Sequence, residues 1–439
     1  MHLPENVLFC INKLESAGFP TYAVGGCVRD ACLTLAPHDY DLCTAATPDT
    51  TAAVFSTFPL VRAGEKHGTI GVVLEGEVIE ITTFRTEGGY ADNRHPQWVH
   101  FVPNIEADLA RRDFTVNAMA YSPTRGFADP FGGRADLKNH ILRAVGDPET
   151  RFSEDALRIL RGVRFAARFG LNPEEATLSA MKMLAPLMEH LAKERIFDEL
   201  NKLLLCTSAQ HLITFAPILA QVIPELAPTI GFDQHSHHHS YDIYTHTAHV
   251  VEGVPADLTL RWAALLHDIG KVPTFALDDR GQGHFYGHAE KSAEMADGIL
   301  RRLKAPNQLR EQVVTLVKLH MVQIPPEYKA VRRWMSRLQN TQIDIEHLLC
   351  LQYADMGSKG TGKPCDTSHL NQVGHLAHDI RNELACISLR DLAVNGHDLI
   401  ALGYTGPAIG LALQFLLNQV LDDRLPNEKE ALISALKTR

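Results

Sequence analysis

Two short segments in the first part of the chain carry the residue types of a phosphate-transfer site. Residues 25–30 read Gly-Gly-Cys-Val-Arg-Asp, and Asp39 and Asp41 follow shortly after them. The paired glycine allows a tight turn, and the next residues read as the first turn of a helix, whose free backbone N–H groups suit phosphate oxygens. Asp39 and Asp41 stand two residues apart at an expected strand start, so their carboxylates should share one face. Together the two segments predict a magnesium-dependent phosphoryl or nucleotidyl transfer site.

The elements that would position this site include a β-hairpin. Residues 68–84 alternate and are rich in β-branched side chains, with the turn expected at residues 75–77. Ile79 and Ile81 should share one face of the second strand and Glu80 the other, which makes Glu80 a candidate third carboxylate. A solvated strand face would have the same pattern. The polar segment 85–98 that follows is predicted to be a mobile loop.

A helix rich in arginine is predicted further along the chain. The pattern becomes helical from Arg151, with Ser153 and Asp155 in the expected first turn. At about 100° per residue, one third of the helix circumference would carry four arginines: Arg158, Arg161, Arg164 and Arg168. Such a stripe is usually a solvated face, but arginine also suits bidentate recognition of phosphates. The adjacent Arg111 and Arg112 offer a similar, weaker signal.

Composition limits the class of protein. A chain of 439 residues is too long for one ordinary core, so two to four domains are expected. No apolar run approaches the roughly 20 residues that span a bilayer, and the eight cysteines form no Cys-x-x-Cys pair. We therefore expect a cytoplasmic protein with no membrane partner. The net charge of −10 does not by itself indicate a nucleic-acid partner.

The second half of the chain contains a different set of metal-ligand types. Residues 263–271 form an apolar helix pattern that ends in His-Asp-Ile-Gly-Lys. A buried imidazole next to a buried carboxylate needs partners, and a divalent metal would satisfy both. The pattern resembles the HD superfamily of metal-dependent phosphohydrolases, whose motif maps onto His246, His267, Asp268 and Asp355. The resemblance implies His288 and His320 as the extra ligands of two-metal members, with a divalent transition metal of unknown identity.

Over the first 205 residues the chain resembles the class II tRNA nucleotidyltransferases, which comprise the CCA-adding enzymes and the bacterial poly(A) polymerases. Five motifs in family order carry this resemblance: residues 25–30, Asp39-x-Asp41, residues 111–118, Glu154-Asp155-x-x-Arg158-x-x-Arg161, and residues 194–200. Residues 394–410 also look like the tail of family members that contain an HD domain. The resemblance therefore covers nearly the whole chain.

The resemblance implies roles for the residues that match. Asp39 and Asp41 would hold two Mg²⁺ ions that activate the 3′-hydroxyl of tRNA. Gly26, Arg29 and Arg112 would contact the triphosphate of CTP or ATP. Asp155 and Arg158 would read the base, because cytosine and adenine both present an exocyclic amine beside a ring-nitrogen acceptor. Arg161 and Arg164 would help to hold the base or phosphates.

We accordingly expect an α+β head, a small mixed β-sheet of nucleotidyltransferase type, followed by an all-α neck, HD body and tail. The predicted ranges are residues 1–138 for the head, 139–211 for the neck, 212–365 for the HD-type metal domain and 366–439 for a tRNA-binding tail. Three alternatives stay open: a poly(A) polymerase, an enzyme adding only A or only CC, and an HD phosphohydrolase whose head merely binds nucleotides. The sequence leaves the oligomeric state open.

Overall fold

The computed structural model describes residues 1–88, 98–236, 240–339, 341–362, 365–383 and 385–437. The chain divides into two compact units. The first unit contains residues 1–207 and 217–224, and the second contains residues 208–216 and 225–439. Residues 89–97 of the predicted mobile loop, and residues 237–239 of a histidine-rich segment, lie outside the described residues.

The first unit begins with α/β structure and continues as helices. Up to residue 142 its elements are α1 Glu5–Ser16, β1 Thr21–Val24, α2 Gly26–Cys32, β2 Asp41–Thr44, α3 Pro48–Val54, β3 Leu60–Val61, β4 Thr69–Leu74, β5 Glu77–Thr83, β6 Arg85–Gly88, β7 Trp98–Phe101, α4 Ile105–Ala110, β8 Ala120–Ser122, β9 Gly126–Ala128, α5 Gly133–Lys138 and β10 Ile141–Leu142. Then follow α6 Pro148–Glu154, α7 Leu157–Phe169, β11 Asn172–Pro173, α8 Glu175–Leu184 and α9 Lys193–Leu204.

A seven-stranded sheet in the order β3-β4-β5-β2-β1-β8-β9 forms the centre of the head. Strands β2 and β5 pair in parallel and the other neighbouring strands are antiparallel, which confirms the predicted small mixed sheet. Strands β4 and β5 form the predicted hairpin, with the chain turning at Glu75 and Gly76. A core that includes Val24, Phe84 and Leu109 packs beneath the sheet.

The structure corrects the expectation for residues 85–98. Arg85–Gly88 and Trp98–Phe101 pair as an antiparallel two-stranded ladder, β6 and β7. The ends of the segment are therefore ordered strands instead of loop. The pairing was not visible locally, because β6 is polar and the polar stretch between the two strands, with Gly88-Gly89 and His95-Pro96, suggested a loop.

The predicted start of the arginine-bearing helix is also wrong. Helix α6 begins at Pro148 with Asp147 as its N-cap, whose side chain accepts a hydrogen bond from the Thr150 backbone N–H. It ends at Glu154, and the next residue, Asp155, has extended backbone angles of φ −144° and ψ 102°. Helix α7 then begins at Leu157, so Asp155 lies in a break between two helices and not inside one.

The second unit is helical apart from one short hairpin. Helix α11, Ala216–Val222, begins in the second unit and continues in the first. The other elements of the second unit are α10 Ala209–Thr214, α12 Ile243–Gly253, α13 Leu258–Leu266, β12 Ala276–Leu277, β13 Gly283–His284, α14 His288–Arg302, α15 Asn307–Leu319, α16 Tyr328–Gln339, α17 Ile345–Gly357, α18 Ser368–Asn382, α19 Gly396–Ala401, α20 Pro407–Leu421 and α21 Lys429–Lys437. Helix α13 is almost entirely buried and packs against α12, α15 and α17. Among the described residues, no helix has both the length and the apolar character needed to cross a bilayer.

Candidate active site

The turn at Gly25 brings a helix start and an arginine close together. Strand β1 ends at Val24, and Gly25 has φ +73° and ψ −121°, a conformation that side chains rarely adopt. A Cβ atom at Gly25 would lie 2.7 Å from Nη1 of Arg112. The absence of a side chain therefore serves two purposes here: it permits the turn into α2 and it lets the Arg112 guanidinium approach the backbone.

Arg29, on the buried face of α2, is fixed by neighbouring side chains. Its Nη1 donates to Asn117 Oδ1 at 2.6 Å and its Nε donates to Asp30 Oδ1 at 2.9 Å. The guanidinium also lies 4.2 Å from the centre of the Phe169 ring. Burial lowers the pKa of Arg29, an effect that Asp30 opposes.

Three carboxylates gather at the edge of the sheet beside this turn. In the parallel pairing of β2 with β5, Leu42 is opposite Ile81, so Asp41 and Glu80 stand side by side one residue earlier. Asp39, Asp41 and Glu80 are all exposed. Loss of water contact raises the pKa of Asp41, the negative charges of Asp39 and Glu80 raise it further, and Arg112 opposes them.

Asp39 does not lie on the strand, contrary to the prediction. Strand β2 begins at Asp41, which is the partner of Val24 in the ladder with β1. The ladder cannot extend to Asp39, because the opposite strand leaves the sheet at the Gly25 turn. The two aspartates are nonetheless close enough for the charge of Asp39 to act on Asp41.

The arginine stripe on α7 is largely paired with carboxylates. Arg158 Nη1 lies 2.5 Å from Glu154 Oε2, Arg161 Nη2 lies 2.7 Å from Asp113 Oδ2, and Arg164 Nε lies 2.6 Å from Glu199 Oε2. Burial raises the pKa of Asp113, but the positive charge of Arg161 and a hydrogen bond from Asn117 outweigh it and hold the value at about 2. Arg168 remains exposed. The stripe is therefore an array of ion pairs and not a uniformly basic surface.

Asp155 is held by two donors at the helix break. Its Oδ1 accepts from the Leu157 backbone N–H at 3.0 Å, and its Oδ2 accepts from Arg195 Nη2 at 2.9 Å. Arg158 lies one turn away and contacts Glu154 instead. The carboxylate of Asp155 and the guanidinium of Arg158 thus have separate partners in this structure.

A cleft of about 350 Å³ in the first unit collects these groups. Its lining residues are Gly25, Gly26, Arg29, Asp41, Arg111, Arg112, Asp113, Asn117, Asp155, Leu157, Arg158, Arg161, Phe165 and Arg195. Most predicted site residues of the first unit are therefore brought together. Within the described part of the chain, the cleft lining omits three predicted residues, Asp39, Glu80 and Arg164.

Four cleft residues with polar side chains were absent from the predicted site: Arg111, Asp113, Asn117 and Arg195. Each lies in a motif that carried the family resemblance, so the motifs contained the signal. What the sequence did not reveal was which side chains of those motifs point into the cleft.

The second unit contains a buried cluster of histidines and aspartates. His246 lies on α12, His267 and Asp268 follow α13, His288 begins α14, His320 follows α15, and Asp355 lies on α17. One possible metal-ligand group comprises His246, His267 and Asp355, and another comprises Asp268, His288 and His320. The six predicted residues therefore converge from five helices.

The histidine rings have a common orientation. Each ring places Nδ1 within 3.0 Å of a backbone carbonyl oxygen: His246 on Ser358, His267 on Ala264, His288 on Phe285 and His320 on Val317. An Nδ1–H that donates to a carbonyl leaves Nε2 with a lone pair, as a metal ligand requires. The Nε2 atoms point into the cluster, where those of His288 and His320 are 3.3 Å apart.

The cluster is electrostatically unusual for a site inside a protein. Nε2 of His267 and Oδ2 of Asp268 are 3.2 Å apart and buried, and Lys271 Nζ lies 2.8 Å from the same carboxylate oxygen. Burial raises the pKa of Asp268, but His267 and Lys271 outweigh it and hold the pKa well below its usual range. Burial and the neighbouring His267 lower the pKa of His320 to about 4. Imidazole and carboxylate donors in this number fit a divalent transition metal.

Comparison with known families divides the chain into three matched regions. The Poly A polymerase head domain matches residues 21–143. The probable RNA and SrmB-binding site of polymerase A matches residues 170–230, and the putative tRNA nucleotidyltransferase domain 2 matches residues 285–436. The first region contains the carboxylate edge and most of the motifs around the cleft.

Full-length relatives extend the match to almost every residue. The chain is 34% identical to the CCA-adding enzyme of Latilactobacillus sakei, covering 97% of this chain and 96% of the relative. It is 33% identical to the CCA-adding enzyme of Streptococcus gordonii, covering 99% and 97%. Among solved structures, the Bacillus stearothermophilus CCA-adding enzyme in complex with CTP is 30% identical, with a TM-score of 0.72 and coverage of 100% and 99%. The chain therefore belongs to the CCA-adding enzyme family of tRNA nucleotidyltransferases.

Proposed function

We propose that this chain adds C, C and A to the 3′ end of tRNA from CTP and ATP, without a nucleic-acid template. The observation that carries the proposal is the cleft of the first unit, which joins Asp41, one residue of the carboxylate edge, to arginines and to the helix break at Asp155. The names of the relatives point the same way, since they are CCA-adding enzymes and one of them was solved with CTP.

The cationic side of the cleft suits a triphosphate. Arg29 and Arg112 flank the Gly25 turn, where the backbone has no side chain in the way of phosphate oxygens. Arg29 is already held by Asp30 and Asn117, so little side-chain entropy is lost when an anion binds. These arginines would orient the phosphates toward Asp41.

The carboxylate edge fits magnesium. Loss of water contact raises the pKa of Asp41, and the negative charges of Asp39 and Glu80 beside it raise that pKa further through like-charge repulsion. A bound cation would remove that repulsion. These residues would hold two Mg²⁺ ions, which when bound supply charge neutralisation at the phosphates and activation of the attacking 3′-hydroxyl.

Base selection would fall to Asp155 and Arg158, two polar residues in the cleft. Each carboxylate oxygen has two lone pairs, so Asp155 can keep its present donors and accept from an exocyclic amine. Arg158 would donate to the adjacent ring nitrogen. Uracil and guanine reverse the donor and acceptor order and would leave both side chains unsatisfied, at a cost of roughly 1–3 kcal/mol each.

The test uses a tRNA that lacks its 3′ CCA, incubated with CTP and ATP separately and together, with the products sized. Extension by three nucleotides only when both are present supports the proposal. Addition of A alone, of CC alone or of a long A tail would instead identify one of the three related activities. Asp39→Ala should abolish incorporation, and Asp155→Ala and Arg158→Ala should admit UTP and GTP. If both variants exclude those nucleotides as the unmodified chain does, base selection lies elsewhere.

A second function is favoured by the histidine cluster in the other unit. We propose that it binds a divalent transition metal through His246, His267, Asp268, His288, His320 and Asp355 and hydrolyses phosphoesters such as 2′,3′-cyclic phosphates. Four histidines oriented by backbone carbonyls support this more directly than any single motif. When bound, the metal would supply an activated water and a Lewis acid.

Metal analysis and a cyclic phosphodiesterase assay on His267→Ala test the second function. His249→Ala is a matched control, because His249 lies on the same helix as His246 but stacks on Tyr241, 4.8 Å away, instead of joining the cluster. The His267 variant should lose both metal and hydrolysis, and the control should lose neither. Retention of both by the His267 variant would make the cluster purely architectural.

A further inference from the structure

The six residues of the histidine cluster differ in their exposure to solvent. The side chains of His246 and His267 are fully buried, and those of Asp268 and His320 are 2% and 1% exposed. His288 and Asp355 are more accessible, with side-chain exposures of 11% and 16%. Among the described residues, His288 and Asp355 are therefore the members of the cluster most accessible to a phosphoester.

An exposed tyrosine lies close to His288 in the chain. Tyr286 is 80% exposed, the largest exposed fraction among the large hydrophobic and aromatic side chains of the described residues. It precedes the ligand His288 by two residues, so their Cα atoms can be at most about 7 Å apart. This short separation keeps Tyr286 close to His288, one of the two more exposed members of the cluster.

The chain around Tyr286 is fixed by contacts on both sides. The carbonyl of Phe285 accepts from His288 Nδ1 at 2.8 Å, and the Phe285 ring packs inward on Phe275 with centroids 5.5 Å apart. Gly287 has φ +74° and begins the turn into α14. Because Phe285 points inward, its neighbour Tyr286 is directed outward, away from the core.

Tyr286 does not stand alone. Its ring lies parallel to that of His284, with an interplanar angle of 5° and centroids 5.3 Å apart. His284 is itself held by Asp278, whose Oδ2 lies 3.1 Å from His284 Nε2. The pair therefore forms an ordered two-ring stack whose second tyrosine face is open to solvent.

We propose that this stack, Tyr286 on His284, is a nucleobase platform that makes the histidine cluster selective for nucleotides over base-free phosphoesters. An open aromatic face binds any base by stacking, with no need for a specific hydrogen-bond pattern. The phosphate would lie at the cluster and the base on Tyr286, so one nucleoside would span the two. The inference rests on the proposed second function, whose site it completes.

The test compares a substrate with a base and one without. Hydrolysis of adenosine 2′,3′-cyclic phosphate and of glycerol 1,2-cyclic phosphate is measured on the full chain and on Tyr286→Ala, Tyr286→Phe and Leu411→Ala. Leu411 is a matched control because it is 73% exposed in the same unit and lies outside the cluster. Tyr286→Ala should raise KM for the adenosine substrate roughly 5- to 150-fold, the range expected for one base stack, and leave the glycerol substrate unchanged. Tyr286→Phe and the control should behave like the unmodified chain.

Binding measurements distinguish the nucleobase platform from the hydrolase activity. Binding of adenosine 3′-monophosphate and of inorganic phosphate is measured by calorimetry, with His267→Ala used to subtract binding elsewhere in the chain. If hydrolysis is absent but the nucleotide binds more tightly than phosphate and loses that advantage in Tyr286→Ala, the hydrolase proposal fails and the platform stands. Equal effects of Tyr286→Ala on both ligands, or no effect on either, overturn the platform.

Discussion

Arg195 donates a hydrogen bond to Asp155 across 2.9 Å, joining helix α9 to the break between α6 and α7. The side chains of Arg195 and Asp155 are 22% and 17% exposed, so the pair is shielded from most solvent screening. A second bond, from the Leu157 backbone, holds the other oxygen of the same carboxylate. This pair therefore fixes the direction in which Asp155 faces the cleft.

Replacing Arg195 should loosen base selection without removing catalysis. In Arg195→Ala, Asp155 keeps only its backbone donor, so its carboxylate should turn more freely and pair less selectively. We expect the preference for CTP and ATP over UTP and GTP to fall on the order of tenfold, by analogy with the loss of one charged hydrogen bond. Steady-state incorporation of each nucleotide measures this. Lys202→Ala, an exposed site on the same helix, should leave the preference intact, and an unchanged preference in Arg195→Ala would exclude the positioning role.

The Gly25 turn should tolerate no side chain. In Gly25→Ala the new methyl group would lie 2.7 Å from Arg112 Nη1 and would also occupy a backbone region that alanine avoids. Gly76→Ala is the matched control, since Gly76 has φ +86° but nothing within 4 Å of its added Cβ. The control should lose about 1–2 kcal/mol of unfolding free energy from backbone strain alone.

Gly25→Ala should lose at least as much stability and also displace Arg112, reducing incorporation on the order of 100-fold. Chemical denaturation and incorporation kinetics together separate the two effects. If the two variants behave equally in both assays, the close approach of Arg112 to Gly25 does not affect stability or incorporation.

Asp113 should contribute to acid stability. Its pKa in the folded chain is about 2, below the ordinary value of 3.8, because Arg161 and Asn117 stabilise its charged form. Because its pKa is lower in the folded than in the unfolded chain, the charged Asp113 stabilises the folded state fully above about pH 4. This stabilisation is lost as the pH falls toward about 2. The difference of nearly two pKa units corresponds to about 2 kcal/mol.

Asp113→Asn should therefore lower the unfolding free energy near neutral pH and flatten its decline between about pH 4 and pH 2. Urea denaturation across that range is the measurement. Asp49→Asn, at an exposed carboxylate, should leave the profile nearly unchanged. A profile of Asp113→Asn that runs parallel to that of the unmodified chain would contradict the assignment.

Local patterns predicted the parts of the molecule that depend on neighbours in sequence. The β4–β5 hairpin, the helix after Gly25 and the apolar helix before His267 follow from periodicity and turn residues, and all three are present. The convergence of six candidate metal ligands was also anticipated, four through the HD motif and two, His288 and His320, through the two-metal members of that superfamily.

Contacts between distant segments were harder to predict. Arg195 reaches Asp155 over 40 residues and Asp113 reaches Arg161 over 48, and nothing in either local pattern indicates the partner. The helix break at Asp155 was missed because the segment has helical periodicity throughout. The Leu157 backbone N–H donates a hydrogen bond to the Asp155 side chain, and this local bond competes with the backbone hydrogen bonds of a continuous helix.

Arg164 should act on stability and not on nucleotide use. Its ion pair with Glu199 is buried, with side-chain exposures of 9% and 6%, and it lies apart from the cleft. Arg164→Met leaves Glu199 buried without its partner and should cost about 3–5 kcal/mol of unfolding free energy. Arg301→Met is the control, because the Arg301 side chain is 66% exposed and its pair with Asp297 should be worth at most about 1 kcal/mol. If KM for CTP rises sharply in Arg164→Met while stability is retained, the side chain contacts nucleotide after all.

Metal binding at the histidine cluster should stabilise the second unit. The buried Asp268 and the partly exposed Asp355 face imidazole nitrogens. The other ring nitrogen of each of these imidazoles is hydrogen-bonded to a backbone carbonyl, so a cation finds its ligands already oriented. At a free metal concentration 100 times the dissociation constant, the stabilisation should be about 2.7 kcal/mol. Thermal unfolding with added Zn²⁺, Mn²⁺ or Ni²⁺, and after treatment with a chelator, measures it. His267→Ala should abolish the shift and His249→Ala should preserve it. A shift of equal size in the His267 variant would place the metal elsewhere in the chain.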